Sequence, residues 1–323
     1  MMLKNILAGA LVLVALQVAG GVAAAEKYPI KPIRIIVPSA PSSGPDVIAR
    51  LIGNRFTDAW GEQVVADARP GSAGNIAAEL ASRAAPDGYT LLVGTSQQIS
   101  SPLLLEKVPF DLIRDFSPVC LIATASYVLI VHPTVPANSV REFIALAKAK
   151  PGGINYGSSG MGGAPHLAVE MLNAMAGLQL VHVPYKSIMF ALVDLMGAQV
   201  QMTISVLPAA LPMIKQGKLR ALGVTSLKRT ALAPDLEPIA ATVPGYEMIG
   251  WYGLNAPAKT PAHLIAQLNT ETNKAIKSAE VQEKLQALGA DVVGGTPQEF
   301  TAFMTGQREK IRRIIEIGGL RGK

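Results

Sequence analysis

The sequence predicts an α/β fold made of two units that are joined by two strand crossings. Short β-branched runs alternate with amphipathic helical patterns, which is typical of helices layered over a largely parallel sheet. The alternation restarts near residue 126, and long helices follow residue 261. These observations indicate that the chain leaves its first unit, builds a second one and then returns to the first.

The segment 1–25 is predicted to be a signal peptide that is not part of the fold. Lys4 is the only charged residue before Glu26, and the apolar run ILAGALVLVALQVAGGVAAA follows it. The small residues Ala23 and Ala25 fit cleavage just before Glu26. The apolar core is too short and wrongly flanked for a stable membrane anchor. The mature chain is therefore expected to be exported.

The first unit is expected to alternate three strands with two helices. The strands are IRIIVP at 33–38, EQVVADAR at 62–69 and YTLLVGT at 89–95, and the helices are DVIARLIGNRFTDAWG at 46–61 and NIAAELASRAA at 75–85. The first helix has an apolar face at amphipathic spacing, which predicts that it packs on the sheet. That face consists of Val47, Ile48, Leu51, Ile52 and Phe56.

The second unit is expected to begin with the strand SYVLIVHP at 126–133. Ser139 and Glu142 form an S-x-x-E capping box that predicts the start of the helix VREFIALAKAKPG. The elements predicted next are strand INYGSS, helix HLAVEMLNAMAG, strand LQLVHVPY, helix ALVDLMGAQV, strand QMTISV, helix LPMIKQG and strand LRALGVTS. This alternation again indicates an α/β unit.

Two long helices are predicted after the segment EMIGWYGLNAPAKTP. Thr260 and Pro261 mark one start, with Thr260 as the N-cap. Thr296, Pro297 and Glu299 mark the other with a second capping box. The last helix carries an apolar stripe that needs a surface to cover, and the first unit is the expected host. The stripe consists of Phe300, Phe303, Met304, Ile311, Ile314 and Ile315.

The predicted domains follow from this return of the chain. The first lobe is discontinuous and comprises 26–125 and 248–323, and the second lobe comprises 126–247. Two strand crossings between lobes form a hinge, and a hinge between two α/β lobes creates a cleft.

Composition argues against several classes of protein. The formal net charge is +6, and basic residues are scattered except for REKIRR at Arg308–Arg313. Such a cluster is typical of the solvated face of a helix, so no nucleic-acid partner is expected. Cys120, the only cysteine, lies in the apolar run SPVCLIA, which predicts a buried, inert thiol and no internal disulfide. The four histidines lack metal-ligand spacing, so neither a metal site nor a cofactor is expected.

The glycine-rich loop YGSSGMGGAPH at 156–166 fails the tests for nucleotide binding and for a nucleophile elbow. A P-loop needs Lys where Gly163 stands, and a dinucleotide fingerprint needs Gly where Pro165 stands. A nucleophile elbow needs Gly where Met161 stands. The loop precedes a helix, and free N–H groups at a helix N-terminus bind carboxylate or phosphate without a cation. An anion socket and a tight turn without a ligand both stay open.

Three further loops fit the anion-socket interpretation because each follows a predicted strand. They are PSAPSSGPD at 38–46, GTSQQISS at 94–101 and PYKS at 184–187. Ligands of α/β sheets bind outside the carboxyl ends of strands, so these loops are expected to form a clamp. Several roles remain open: Asp46 as a helix cap or an amine ligand, Lys186 as an anion partner or a solvated side chain, and His166 as a catalytic, ligand-contacting or structural residue.

Six motifs follow one another from about residue 28 to the C-terminus. They are YPIKPIRIIVP with GPDVIARLI, RPGSAGNIAAELASRAAPDGYTLLVGT, NYGSSGMGGAPHLAVEML, VPYKSIMFALVDLMGAQV, GKLRALGVTS and GWYGLNAPAKTP. In sequence and in order they resemble the Bug family, the extracytoplasmic solute receptors of tripartite tricarboxylate transporters. The resemblance implies a type II periplasmic-binding-protein fold, with two lobes, a hinge and a carboxylated solute held between the lobes.

The resemblance also implies a set of ligand contacts. In the first lobe they are Ser39, Ala40, Pro41, Ser42, Ser43, Asp46, Ser96 and Gln97. In the second lobe they are Ser158, Ser159, Gly160, Gly162, Gly163, His166, Tyr185, Lys186 and Ser205. The implied partners are a small organic carboxylate and the membrane permease subunits of a tripartite transporter.

This sequence departs from the family pattern at the cleft. Ser42 and Ser43 replace glycines of the first loop, and Gly163 stands where Thr or Ser is usual. Bulky Ile188, Met189 and Phe190 follow Lys186 and Ser187, where small residues are common. These changes favour an aromatic or otherwise apolar carboxylate over a small polar dicarboxylate.

The function expected from these observations is periplasmic solute binding without chemistry. A receptor that feeds a sensor kinase is an alternative, because it would use the same closed lobes. A periplasmic enzyme is a weaker alternative, since it would need a nucleophile–base pair or a metal cluster and the sequence displays neither.

Overall fold

The computed structural model describes residues 27–105 and 107–318, and the compact body that its contacts define begins at Lys31. The predicted signal peptide lies outside the described residues. The strands are β1 Ile33–Val37, β2 Val64–Ala68, β3 Thr90–Thr95, β4 Phe116–Val131, β5 Asn155–Ser158, β6 Val181–Pro184, β7 Met202–Val206, β8 Arg220–Val224, β9 Ile249–Pro257 and β10 Ala290–Val292.

The helices alternate with the strands and become longer towards the C-terminus. They are α1 Gly44–Trp60, α2 Asn75–Ser82, α3 Ser96–Leu104, α4 Val140–Ala149, α5 Ala164–Ala176, α6 Ile188–Met196, α7 Leu207–Lys215, α8 Ala262–Ala275, α9 Ala279–Ala287 and α10 Pro297–Gly318. Within the described residues, no helix has both the length and the apolar character needed to cross a bilayer.

The strands join into one sheet whose order is β2-β1-β3-β9-β4-β7-β5-β6, and β8 and β10 also pair with β4. The outer pairs, β1 with β2 and β3 and β5 with β6 and β7, are parallel. Every pair that involves β4 or β9 is antiparallel. The prediction of a largely parallel sheet is therefore wrong at the centre of the sheet. Parallel neighbours require a crossover connection, usually a helix, whereas the long central strands β4 and β9 pair in antiparallel orientation.

The strand β4 extends from one half of the sheet into the other. Its first part, Phe116–Ser126, pairs with β9, and its second part, Tyr127–Val131, pairs with β7. The sequence predicted a new strand at Ser126, but the structure has one continuous strand. The reason is that the segment Val119–Val131 contains no glycine, proline, asparagine or aspartate that would end the strand.

The caps of the later helices match the predictions to different degrees. The capping box of α10 is confirmed, because Thr296 N–H donates to Glu299 and Glu299 N–H donates to the Thr296 hydroxyl. The predicted box of α4 is half formed: Ser139 accepts from Glu142 N–H, but the Glu142 carboxylate accepts from Asn138 N–H.

The prediction that Thr260 caps α8 is wrong. Its hydroxyl donates to the Pro257 carbonyl at 2.7 Å, and Pro261 takes the N-cap position. The side chain closes the preceding turn instead, because Thr hydroxyls readily bond to nearby backbone carbonyls.

The apolar stripe of α10 is buried, with Phe303 only partly so. The helix contacts β4 and α3 as expected, but it also packs on α5. Its Lys310 forms an ion pair with Glu247. The prediction that α10 covers only the first unit is therefore incomplete, since one apolar stripe of this length is long enough to cover both halves of the sheet.

The contact between β9 and α10 leaves no room for a side chain at Gly253. An added methyl group would overlap the Phe300 ring, which is fully buried. We expect Gly253→Ala to lower the free energy of unfolding by about 1–3 kcal/mol because of overpacking. Chemical denaturation followed by circular dichroism measures this change.

Gly306 on α10 is the matched control, since a methyl group there would meet nothing within 4 Å. Gly306→Ala is expected to stabilise the protein by about 0.5–1 kcal/mol through helix propensity. A similar destabilisation by both substitutions would contradict the packing argument.

Candidate ligand-binding cleft

A cleft of about 260 Å³ lies where the strand-to-helix connections converge. Strands β4 and β9 form its floor, the starts of α1 and α3 form one wall, and the starts of α5 and α6 form the other. The lining residues are Ser39, Pro45, Thr95, Ser96, Gln97, Tyr127, Ser159, Ala164, Pro165, Ile188, Val206, Gly250, Trp251 and Tyr252. Four helix N-termini therefore direct their positive dipole ends towards one space.

A second chamber of about 160 Å³ adjoins the first, and both are lined by Gln97 and Ser159. Its other lining residues are Ser100, Ser101, Leu104, Leu105, Met161, Gly162, Gly163 and His166. The loop 156–166 and the segment 38–46 thus both border the same cleft, from opposite walls.

The loop before α1 is held by Asp46. This buried carboxylate accepts the Ser42 N–H at 2.9 Å and pairs with Arg50 at 3.0 Å. Burial raises its pKa, but the hydrogen bonds from Arg50 and Ser42 outweigh that effect and hold the pKa below its usual value. These contacts engage the carboxylate within the protein and so argue against binding of a ligand amine. They do not cap α1, because the accepted N–H belongs to Ser42, which precedes the N-cap residue Ser43.

Ser42 adopts a left-handed backbone conformation with φ +65°. This conformation favours glycine, the residue that Ser42 replaces in the family pattern, and costs a serine about 1 kcal/mol or more. The Ser39 and Ser43 hydroxyls bond to each other at 2.5 Å. Ala40 and Pro41 are exposed, and neither lines the cleft.

The prediction of a loop over residues 94–101 is wrong, because helix α3 begins within this segment at Ser96. Thr95 and Gln98 form a capping box, in which Gln98 accepts from the Thr95 N–H at 2.8 Å. This T-x-x-Q signal is visible in the sequence and could have identified the helix. Ser96 and Gln97 therefore sit on a helix N-terminus, and the Ser96 side chain bonds to Tyr127.

Within the loop 156–166, Ser158 and Ser159 differ in their surroundings. Ser158 is fully buried, and its hydroxyl contacts His182 Nε2 at 2.7 Å, the Gly160 N–H at 3.1 Å and the Gly160 carbonyl at 3.2 Å. Ser159 is exposed and lines both chambers. Of the two serines, Ser159 is thus the one that borders the chambers.

The sequence displays no nucleophile–base pair, but the structure brings a serine and a histidine into contact, since the Ser158 hydroxyl lies 2.7 Å from His182 Nε2. Their separation of 24 residues in the sequence concealed this contact. A nucleophile must reach its substrate, however, and Ser158 is inaccessible, with its hydroxyl accepting from the Gly160 N–H. Cys120 is also buried, which raises the pKa of its thiol to about 12. The described residues contain no group of three His, Cys, Asp or Glu side chains that could hold a metal ion.

The remaining expected contacts lie at different depths. The Tyr185 hydroxyl donates to Asp194 at 2.7 Å, and Lys186 is exposed. Ser205 is fully buried on β7, and its hydroxyl has no hydrogen-bond partner among the described residues. None of these three residues lines either chamber.

Sequence reasoning missed the floor of the cleft. Tyr127, Trp251 and Tyr252 belong to the strands that cross between the two halves of the sheet, and the Tyr252 hydroxyl approaches Gly44 at the start of α1. The Trp251 indole N–H is buried without a hydrogen-bond partner among the described residues. The sequence signal that could have identified this floor is the presence of aromatic residues at the two predicted strand crossings.

Comparison with known proteins gives the family of this chain. Residues 48–320 match the profile described as the tripartite tricarboxylate transporter family receptor, TctC. The chain belongs to this receptor family. It is 32% identical to the protein BugT of Bordetella pertussis over 305 residues, which covers 93% of each chain. The predicted resemblance to the Bug receptors is therefore confirmed.

Solved structures of TctC-type receptors share the fold. An R. palustris protein with adipate is 33% identical, with a TM-score of 0.79 over 91% of this chain and 99% of the other. MatC from Rhodopseudomonas palustris, solved with bound malate, is 26% identical, with a TM-score of 0.74 over 89% of this chain and 100% of the other. The predicted fold class, an α/β fold of the periplasmic-binding-protein type, is confirmed.

Two tyrosines of the second wall offer a matched test of burial. Tyr156 is fully buried and donates to Glu170 at 2.6 Å, whereas Tyr185 is half-buried and donates to Asp194 at 2.7 Å. Tyr156→Phe is expected to lower the free energy of unfolding by about 1.5–3 kcal/mol, because a buried hydrogen bond to a charged group is lost.

Tyr185→Phe serves as the control, and water can replace its hydrogen bond to Asp194. Its expected cost is below about 1 kcal/mol. Urea denaturation of both variants gives the comparison. A larger loss of unfolding free energy for Tyr185→Phe than for Tyr156→Phe would contradict the view that the Tyr156 hydrogen bond is the more buried one.

Proposed function

We propose that this protein is an exported periplasmic receptor that captures an organic carboxylate between two lobes and presents it to the permease subunits of a tripartite transporter. The proposed lobes are 26–125 with 248–323, and 126–247. Support comes from β4, which changes partners at Ser126, and from β9, which returns at Ile249. Closure of one lobe on the other would bury the ligand, which shifts the equilibrium by its better contacts with the closed form.

The observation that carries the proposal is the chemistry of the cleft lining. Among the described residues that line the two chambers, none is Lys, Arg, Asp or Glu. The available groups are serine hydroxyls and backbone N–H groups at helix N-termini, which bind a carboxylate without a cation. The proposed contacts are the side chains of Ser39, Ser96, Gln97 and Ser159, together with the backbone at the N-termini of α1, α3, α5 and α6.

The apolar lining supports a ligand with an apolar or aromatic body. Trp251 and Tyr252 face the larger chamber together with Ile188 and Val206, and Leu104 lines the smaller one. Similar proteins have been solved with adipate and with malate, so a small organic acid is the expected ligand. An acid whose charged end meets the helix N-termini and whose body contacts Trp251 fits this lining.

The proposal is tested by thermal-shift screening of the mature chain. The panel comprises adipate, malate, aromatic monocarboxylates and amino acids. A ligand at 100 times its Kd adds about 2.7 kcal/mol of stability, so a true ligand gives a clear rise in Tm. Calorimetric titration then measures Kd, and small-angle X-ray scattering measures closure as a smaller radius of gyration. Turnover of the bound acid would instead favour an enzyme.

Ser159 allows a prediction about affinity. We expect Ser159→Ala to weaken binding of the best acid from the panel about two- to tenfold, the loss of one or so kcal/mol of hydrogen bonding. The Tm of the free protein should stay unchanged, because Ser159 is exposed. Isothermal titration calorimetry measures the affinity.

Ser278→Ala is the control for Ser159→Ala. The Ser278 hydroxyl donates to the Ala275 carbonyl outside the cleft, so its loss should leave Kd unchanged. Equal affinities of all three proteins would remove Ser159 from the binding site.

A further inference from the structure

A polar cluster lies at the base of the loop 156–166 and includes residues of the loop itself. This histidine cluster consists of the buried residues Tyr156, Ser158 and His166 and the half-buried residues Glu170 and His182. The two imidazole rings lie 4.3 Å apart between centroids, and Tyr156 stacks on His182 at 4.9 Å. The cluster connects β5, β6 and α5, the three elements that fix the position of the loop.

Ser158 connects His182 to the loop. Its hydroxyl accepts from the Gly160 N–H at 3.1 Å and lies 2.7 Å from His182 Nε2 and 3.2 Å from the Gly160 carbonyl. A hydroxyl donates one hydrogen bond, so either the imidazole or the carbonyl receives the Ser158 proton.

His166 holds the loop through its Nδ1 atom. The Gly162 N–H donates to His166 Nδ1 at 3.2 Å, so this nitrogen must be an acceptor and hence unprotonated. A second proton on His166 would go to Nδ1, since the other ring nitrogen already has one. Two N–H groups would then face each other, and the bond that holds Gly162 would be lost.

The position of Gly162 affects the width of the cleft. Gly162 has φ +72°, and a methyl group there would lie 2.6 Å from Leu104 Cδ1 on α3. Its backbone therefore packs against the opposite wall, and both residues line the smaller chamber with His166. Loss of the bond to His166 frees the segment that makes this contact.

Few charged groups face the cluster. From α5 the only acid is Glu170, which already accepts from Tyr156, and from β6 the neighbour is His182 itself. The α3 residues that line the chamber with His166 are uncharged Gln97, Ser100, Ser101 and Leu104. Burial lowers the pKa of His166 to about 4. Burial also lowers the pKa of His182 to about 4, with a further contribution from His166 that Glu170 partly opposes.

We propose that His166 is a positioning residue that holds the loop in its ligand-binding form only while it is singly protonated, so that acid conditions release the ligand. This inference rests on the proposed function for its second half, but the response of the loop itself does not require a ligand. It assigns to His166 a role that neither contact with solute nor catalysis accounts for.

The expected direction follows from linkage. A histidine whose loop is released takes up a proton near pH 6.5, whereas in the ordered loop it does so only near pH 4. The ordered form is thus favoured above pH 6.5 and is lost as the pH falls towards 4. Affinity should fall in the same window, by up to about tenfold per pH unit.

Two substitutions of His166 separate titration from structure. In His166→Asn the side-chain oxygen can accept from Gly162 near the position of Nδ1, but it does not titrate. In His166→Phe the ring remains and the acceptor is lost. His263→Asn on α8 is the matched control, because His263 is exposed and lines neither chamber.

The first measurement uses the full mature chain without ligand. The amide resonance of Gly162 is followed by NMR from pH 7 to pH 4. We expect a titration in the wild type and in His263→Asn, a flat profile in His166→Asn, and an unbonded amide at every pH in His166→Phe. Circular dichroism checks folding, and His166→Asn alone suffices if His166→Phe does not fold. A wild-type profile in His166→Asn, or a flat wild-type profile, overturns the proposal.

The second measurement is calorimetric titration with adipate as the probe at pH 7, 5.5 and 4.5. The ratio of wild-type to His166→Asn affinity cancels the titration of adipate itself. This ratio should fall at least tenfold between pH 7 and pH 4.5, and a constant ratio contradicts ligand release by His166. If adipate does not bind at pH 7, the proposed ligand class is at fault, and the NMR profile alone decides the loop proposal.

Discussion

Backbone hydrogen bonding along β4 is the constraint on which the rest of the structure depends. This one strand supplies partners to β9 and β10 over its first part and to β7 and β8 over its second. Each half of the sheet is therefore completed by the same strand, and β9 provides the return crossing beside it. The helix N-termini converge because the parallel strands on both sides of β4 and β9 end towards the same space.

The cleft obtains its electrostatic character from the backbone instead of from charged side chains. An Arg or Lys in a closed cleft would need a permanent partner or would pay a desolvation cost when no ligand is bound. Peptide dipoles at the starts of α1, α3, α5 and α6 avoid that cost, since helix geometry orients them in advance. The acid nearby, Asp46, lines neither chamber and is paired with Arg50.

Sequence patterns within a few residues predicted most of the fold. The features that were missed depend on the context beyond such a pattern. The capping box at Thr296 and the apolar stripe of α10 are encoded within a few residues, and both appear in the structure. The sequence did not show that β4 is continuous, because a strand within one half of the sheet and a strand that crosses between the halves have the same local residue pattern. The start of α3 was missed although Thr95 and Gln98 signal it, because serine-rich segments also resemble loops.

The interior of the candidate site was the least predictable part. Ser158 and His182 are 24 residues apart, and only the pairing of β5 with β6 brings them together. The floor residue Trp251 comes from a strand far along the chain. A sequence shows which loops surround a cleft, because each of these loops follows a strand. It does not show which side chains tertiary packing places beneath the loops.

The burial of Cys120 has a practical consequence for work with this receptor. Its thiol is inaccessible and remains protonated at neutral pH, so maleimide reagents should leave it untouched. A single cysteine introduced at the rim of the cleft would then be the only site that accepts an environment-sensitive dye. The natural scaffold is in this way already suited to conversion into a reagentless optical sensor, with no background labelling to remove.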